Sequence, residues 1–256
     1  MRQWSRRYLL NPVEVAAVAL LTGGAVLATI VALGETVPSP EAVPLRAAYG
    51  PSRFSTHGEE WMIRDFFNDM RNGFFVDVGA NHYQKNSNTY YLETTLGWEG
   101  IAVEPILEFE REYRQYRPRT RFRPFFVSDT SDEEVDFFFL SNQSRMSSGS
   151  QDFTDQFGDG AQTLTVPTIT LDDLLDNEGV TNVDFVSMDI ELWEPRALAG
   201  FDIQRFRPAL VCIEAHGEVR QAILDYFFSQ GYVIVGKYLR ADAWNLYFTP
   251  GTQATR

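Results

Sequence analysis

Residues 74–91 read F-F-V-D-V-G-A-N-H-Y-Q-K-N-S-N-T-Y-Y. The first half is a short apolar run of aromatic and β-branched residues that ends at Asp77 and meets Gly79 two residues later. Such a run, bounded by a glycine, is a buried strand entering a tight turn. A turn of this kind, leading into a helix, presents backbone N–H groups to a polar or anionic part of a ligand. Further on, G-I-A-V-E-P (100–105) carries a second strand into Glu104. A carboxylate there is placed to accept both hydroxyls of a ribose. Alone, each signal is weak, because strand-end acids commonly cap helices or turn into solvent. In this order and spacing they favour a nucleoside ligand.

Outward from this stretch, strands and helices alternate. An amphipathic segment (59–70) precedes the first strand, and a helix-like segment around T-Y-Y-L-E-T-T-L-G separates it from the second. A charged helix (107–116), a strand at 121–129 and an extended run at 135–140 follow. Residues 141–165, rich in Ser, Gln, Gly and Asp, are expected as a long surface loop, with Ser147-Ser148-Gly149-Ser150 flexible and, as a second role, a substrate lid. Then come a short helix (170–176), strands at 183–190 and 209–216, a helix (218–228) and two closing strands near 232–237 and 246–249. This order predicts an α/β, doubly wound parallel sheet with ligands at the strands' C-terminal ends, and an antiparallel hairpin at one edge. It also predicts Asp77, Glu104, Asp189 and Glu214 at the C-terminal ends of adjacent strands.

Composition narrows the partners. The chain has 256 residues, 44% hydrophobic and 14% aromatic, enough for one well-filled domain and a short appendage. Net charge is −13; the first 34 residues hold three arginines against one glutamate, so the remainder carries −15. Such a domain is repelled by nucleic acid and by anionic lipid heads, and neither is expected as a ligand. The single cysteine, Cys212, lies in an apolar run and reads as a core residue. No His-x-x-x-His or Asp-rich spacing is present, so no metal is expected; nor is there a Gly-x-Ser-x-Gly elbow or a phosphate loop.

Val15 to Leu33 is a run of 19 residues without a charge. At ~1.5 Å per residue this approaches the ~30 Å hydrocarbon thickness of a bilayer. An uncleaved anchor over residues 13–34 is the leading reading; a cleavable signal, with S-R-R-Y-L-L loosely like a twin-arginine export motif, and a buried helix are the alternatives. Gly23-Gly24 suits packing against other membrane helices. Arg2, Arg6 and Arg7 precede the run, while Glu35 and Glu41 follow it, which keeps the N-terminus cytoplasmic and sends the domain to the extracytoplasmic (periplasmic) side. The expected organisation is a basic segment (1–12), a transmembrane helix (13–34), a Pro-rich extended linker (35–56) and an α/β domain (57–256).

The set F-V-D-V-G-A-N, S-N-T-Y-Y-L-E, G-W-E-G-I-A-V-E-P, V-S-D, T-L-D-D-L-L, V-D-F-V-S-M-D-I-E and P-A-L-V-C-I-E-A-H resembles the FkbM-type S-adenosylmethionine-dependent methyltransferases over about residues 57–250. The resemblance implies a seven-stranded methyltransferase-like (Rossmann-like) sheet. It further implies a cofactor over Asp77, Gly79 and Asn81, with its ribose on Glu104 and its adenine near Asp129. Asp189, Glu191 and His216 would face cofactor and substrate. Two positions depart from the family pattern. Where D-V-G-A-N-D-G is common this chain has His82 and Tyr83, and where D-V-E-G is common it has D-I-E-L followed by Trp193. Tyr83 either fills the methionine end of the cofactor site or turns outward.

Methyl transfer to an alcohol needs alignment and a base, and Asp189, Glu191, Glu214 and His216 could supply one; as strand-end residues they could equally be structural. Two functions follow. One is a catalytically silent accessory or structural subunit, tethered in the lipid bilayer through residues 13–34 and held by other subunits of a membrane complex. No residue names that complex; an energy-transducing or photosynthetic assembly is one example. The other is an active S-adenosylmethionine-dependent O-methyltransferase acting on a small-molecule, sugar or lipid-linked acceptor.

Overall fold

A computed structural model describes residues 40–50, 54–140, 147–156 and 161–251. The apolar segment 13–34 lies outside them. Among the described residues no helix is long and apolar enough to cross a membrane.

Phe74–Val78 forms β1, an inner strand of a seven-stranded sheet of order β3-β2-β1-β7-β8-β10-β9. Its neighbours are β2 (Glu99–Val103) and β7 (Phe185–Met188), with β3 (Thr120–Arg123) and β8 (Leu210–Glu214) outside them, all parallel. β10 (Asn245–Pro250) runs antiparallel to β8 and to the edge strand β9 (Tyr232–Ile234), the hairpin expected from the last two apolar runs. The central strands are apolar on both faces because both faces are covered. Val76 and Val78 join a cluster with Val186, Val211 and Leu246, whereas Phe75 joins Trp98, Phe185, Cys212 and Tyr247 on the other side. This alternation is the two-residue period of a strand read through both layers.

The chain leaves β1 for β2 and β3 and then returns to β7 on the opposite flank of β1. The C-terminal ends of β1 and β7 thus form the switch point at which doubly wound sheets bind ligands. Between β3 and β7 the chain builds a second sheet of order β4-β6-β5, from β4 (Phe126–Val127), β5 (Glu134–Phe139) and β6 (Gln162–Ile169). The long surface loop expected over residues 141–165 is therefore ordered in much of its described part. Ser148 exchanges backbone hydrogen bonds with Phe138 (2.9 and 3.0 Å), and Gln162 onward is strand. Val166 packs with Phe137 inside while most of β6 faces out, so threonine-rich polarity marks one wet face of a sheet. Part of the expected extended linker is also helical: Val43–Tyr49 forms α1 and contacts α2 (Glu59–Phe67), with Ala42 buried in the second cluster.

One buried ion pair ties these elements to the ligand end. Arg117, at the C-terminal end of α4 (Glu110–Tyr116), is fully buried. Its guanidinium bonds Glu93 of α3 (Tyr90–Leu96), donates to the Tyr83 carbonyl at 2.9 Å and donates to Thr89 Oγ1 at 3.1 Å. Glu93 also accepts from the Arg119 N–H (2.9 Å) and Thr120 Oγ1 (2.5 Å). Thr89 Oγ1 in turn donates to Asp77 Oδ2 at 2.6 Å. Removing one member strands a buried charge, a loss of about 3–5 kcal/mol. Arg117→Ala and Glu93→Ala should each lower the urea-unfolding free energy of the full chain by about that amount, and the double variant by clearly less than their sum. Small, additive losses would mean that the pair does not hold the loop.

Candidate active site

The turn after β1 is built around Gly79, at φ +79°, where an added Cβ would lie 1.9 Å from the Asp189 carbonyl oxygen. Only glycine fits both the conformation and that contact. The Gly79 and Ala80 N–H groups donate to the Val103 carbonyl (3.0 and 3.2 Å), and Asp189 N–H donates to the Val78 carbonyl (3.0 Å), so the three strand ends are stitched together. Asn81 follows in the left-handed region (φ 46°), and its N–H reaches Glu104 Oε2 at 3.0 Å. Glu104 Oε1 accepts from Ile106 N–H at 3.0 Å. Each carboxylate oxygen keeps a second lone pair for a ligand hydroxyl. Burial pushes the Glu104 carboxyl up to about 7.

Asp77, Gly79, Asn81, Glu104, Asp189, Glu191 and His216 all line one cavity of about 370 Å³, within the range of small-molecule sites. Asp129 does not. Arg196 pairs with it at 3.2 Å, and from this stretch Phe125, Phe126 and Val127 line the cavity instead. Tyr83 is outside the cavity as well. Its ring stacks between His82 (centroids 4.5 Å apart) and Tyr116 (4.8 Å), and its φ is not positive. Asn81 makes the left-handed step, which frees Tyr83 to turn outward, and Arg117 holds its carbonyl there. Trp193 packs on Phe126 and also leaves the cavity open.

At the other end, Glu191 (φ 53°) and Leu192 (φ 76°) form a left-handed pair after β7. Ser148 Oγ clamps this turn by donating to the Glu191 carbonyl at 2.7 Å. Ser147 and Ser148 are buried, so this part of the expected flexible loop is a fixed strut. His216 Nε2 lies 3.2 Å from Glu191 Oε2 and 3.1 Å from Glu214 Oε2. The hydrogen bond to Glu191, and after it the one to Glu214, push the imidazole up to about 11, so it is cationic at neutral pH. Glu194, completely buried behind them, is pushed up to about 8 by desolvation. Asp189 is exposed and lines the cavity. Desolvation, then Glu214 and Glu191, push its carboxyl well above the usual carboxylate range.

Several lining residues carried no sequence signal for a site. Phe125, Phe126 and Phe137 form an aromatic wall contributed by the small sheet, and Lys85 to Asn88 form a rim. His57 stacks on Trp244 (5.4 Å) beside Glu59 and Asn245, from opposite ends of the domain. Only Ser87 and Asn88 fell within a recognisable motif, S-N-T-Y-Y-L-E.

Glu104 gives the cradle a pH signature. Its folded-state pKa lies above the ordinary 4.5, so the protonated form stabilises the fold. That contribution is complete below pH 4.5 and is lost as pH rises through about 7. The unfolding free energy of wild type relative to Glu104→Gln should fall across this window, by at most ~1.4 kcal/mol per pH unit. A flat difference would show that Glu104 titrates normally.

Comparison with known proteins gives these features a family. A family model, the methyltransferase FkbM domain, matches residues 77–234. No curated protein matches the chain. Among solved structures, precorrin-6y C5,15-methyltransferase from Geobacter metallireducens is 9% identical, covering 75% of this chain and 87% of its own, with a TM-score of 0.44. A TehB-like SAM-dependent methyltransferase from Corynebacterium glutamicum is 12% identical over 94% and 100%, with a TM-score of 0.41. The 1,6-didemethyltoxoflavin-N1-methyltransferase of Burkholderia thailandensis, solved with its substrate and S-adenosylhomocysteine, is 13% identical over 96% and 92%, with a TM-score of 0.37. These likenesses are distant and assign no residue a role. The family model spans more than half of the chain, from the strand-end Asp77 to the edge strand β9, and the chain belongs to the FkbM methyltransferase domain family.

Proposed function

We propose that this chain is an S-adenosylmethionine-dependent O-methyltransferase. The observation that carries the reading is the open cavity between the Gly79–Glu104 cradle and the Glu191–His216 group, with Tyr83 turned out of it. The cofactor, when bound, supplies an electrophilic methyl group on a sulfonium. Gly79 lets the backbone approach it, Asp77 and Asn81 shape the turn, and Glu104 accepts its ribose hydroxyls. At the other end Asp189, Glu191 and His216 bind the acceptor. Glu191, paired with the cationic His216, receives the acceptor's hydroxyl proton. Asp189, whose carboxyl is pushed well above the usual carboxylate range, offers a hydrogen bond to the acceptor. The aromatic wall of Phe125, Phe126 and Phe137 excludes water from one side.

Calorimetric titration of the full chain with S-adenosylmethionine and S-adenosylhomocysteine tests this directly. Wild type should bind at roughly micromolar Kd, near −8 kcal/mol, and Gly79→Ala should lose that binding. Tyr83→Gly should leave the affinity within about threefold, because no ring is removed from the cavity. Binding no better than roughly millimolar would overturn the enzyme.

A second reading rests on the N-terminal segment. Three arginines before an uncharged run of 19 residues favour an anchor with the domain on the extracytoplasmic side, away from the cytoplasmic cofactor supply. There the domain would serve as an accessory subunit of a membrane complex. Protease added to intact spheroplasts separates the readings: the enzyme expects residues 57–256 to be protected, and the accessory subunit expects them to be digested.

A further inference from the structure

We infer that Glu191, Glu214 and His216 form a binding site for one divalent metal cation on the cavity wall. Each offers one ligand atom, and the three atoms lie within 4.8 Å of one another. In an octahedral shell with bonds of ~2.1 Å, neighbouring ligand atoms stand ~3.0 Å apart. His216 Nε2 stands 3.2 Å from Glu191 Oε2 and 3.1 Å from Glu214 Oε2, so two edges of such a shell are already in place. The spacing is set by the sheet, because β7 and β8 pair in parallel register up to Met188 and Ile213, just before the ligands. Sequence spacing could not disclose it, since the ligands come from two strands. All three residues line the cavity, which leaves coordination positions for water or a ligand hydroxyl and provides a path of entry.

A second observation points the same way. Glu194 is completely buried, its Oε2 has no hydrogen-bond partner among the described residues, and it lies close enough to Glu191 and Glu214 to feel both charges. Its Oε1 accepts from Ile190 N–H at 3.1 Å, and a buried carboxyl group only half satisfied among like charges is relieved by positive charge nearby. Asp189 lines the same cavity, so this end carries several carboxyl groups and one imidazole, which is paired with two of them. The mixed imidazole and carboxylate set suits Mn²⁺ or Zn²⁺ better than Mg²⁺ or Ca²⁺. The inference does not depend on the cofactor. Where both hold, Glu191 serves as a ligand, and the cation sets the acidity of the acceptor's hydroxyl.

The chain has three histidines, so ring ¹⁵N spectra of the full-length wild type resolve the site without a substitution. Titration with Zn²⁺ should displace the His216 Nε2 signal with one-to-one stoichiometry and leave His82 in place. Mn²⁺ should lose its free electron-paramagnetic signal up to one equivalent, and Glu214→Gln and His216→Gln should each weaken this binding by about tenfold or more. An unmoved His216 signal at roughly millimolar Zn²⁺, or equal displacement of all three histidines, would overturn the site and leave a cationic histidine paired with two glutamates. S-adenosylmethionine titration without metal reads the cofactor cradle separately, so the two proposals fail independently.

Discussion

The ligand end of this domain depends on the buried contact between Arg117 and Glu93. The turn after β1 contains no regular structure from Gly79 to Thr89; its own sequence supplies local bonds, among them Gln84 and Lys85 N–H to His82 Nδ1, but little reason to dock in one place. The guanidinium supplies that reason by bonding the turn at Tyr83 and Thr89 while it is fixed to α3 through Glu93. Arginine suits the task because its planar fork can reach three acceptors at once, where lysine offers one point charge. The rings of Phe75, Tyr90 and Tyr113 surround it at 5.5 to 5.7 Å and keep water from competing. The orientation of Asp77 follows through Thr89. A residue outside the cavity thus determines its shape.

The two ends of the cavity are different electrostatic environments. At the cradle, Glu104 is met by two backbone N–H groups, enough to hold it but not to offset its burial fully. At the far end, acids accumulate on the turn after β7 and the end of β8 with one imidazole between them. Such crowding is tolerable only when protons or cations share the space. Charge gathered in this way, in a cavity also lined by aromatic rings, marks this end as a candidate site.

Much of this was legible in the chain. The four strand-end acids stand at adjacent strand ends because alternating apolar runs and single turn residues carry topology locally. Cys212 as core and the terminal hairpin were legible for the same reason. The role of residues 147–150 was not: a Ser/Gly stretch looks the same whether solvated or clamped, and only the Ser148 bond to Glu191 tells them apart. Tyr83 was ambiguous, since its direction is set by Arg117, 34 residues away. Asp129 pairs with Arg196 and is not among the residues lining the cavity, a difference its local sequence does not carry. His57 and Trp244 meet only once the sheet has closed.

The inner position of β1 also has a consequence for synthesis. One flank pairs early with β2, but the other must wait for Phe185, and the hydrogen bond from Phe74 N–H to Asp184 Oδ2 spans 110 positions. Pairings of such separation are slow, because the entropy of closing the intervening loop is lost before the contact forms. On the ribosome, an apolar strand with an unpaired edge would emerge well before its partner and stay exposed for seconds at ordinary elongation rates. The small sheet β4-β6-β5 lies wholly within this interval and can fold while β1 waits. Its aromatic wall would then be ready to close over the nascent switch point as soon as β7 arrives.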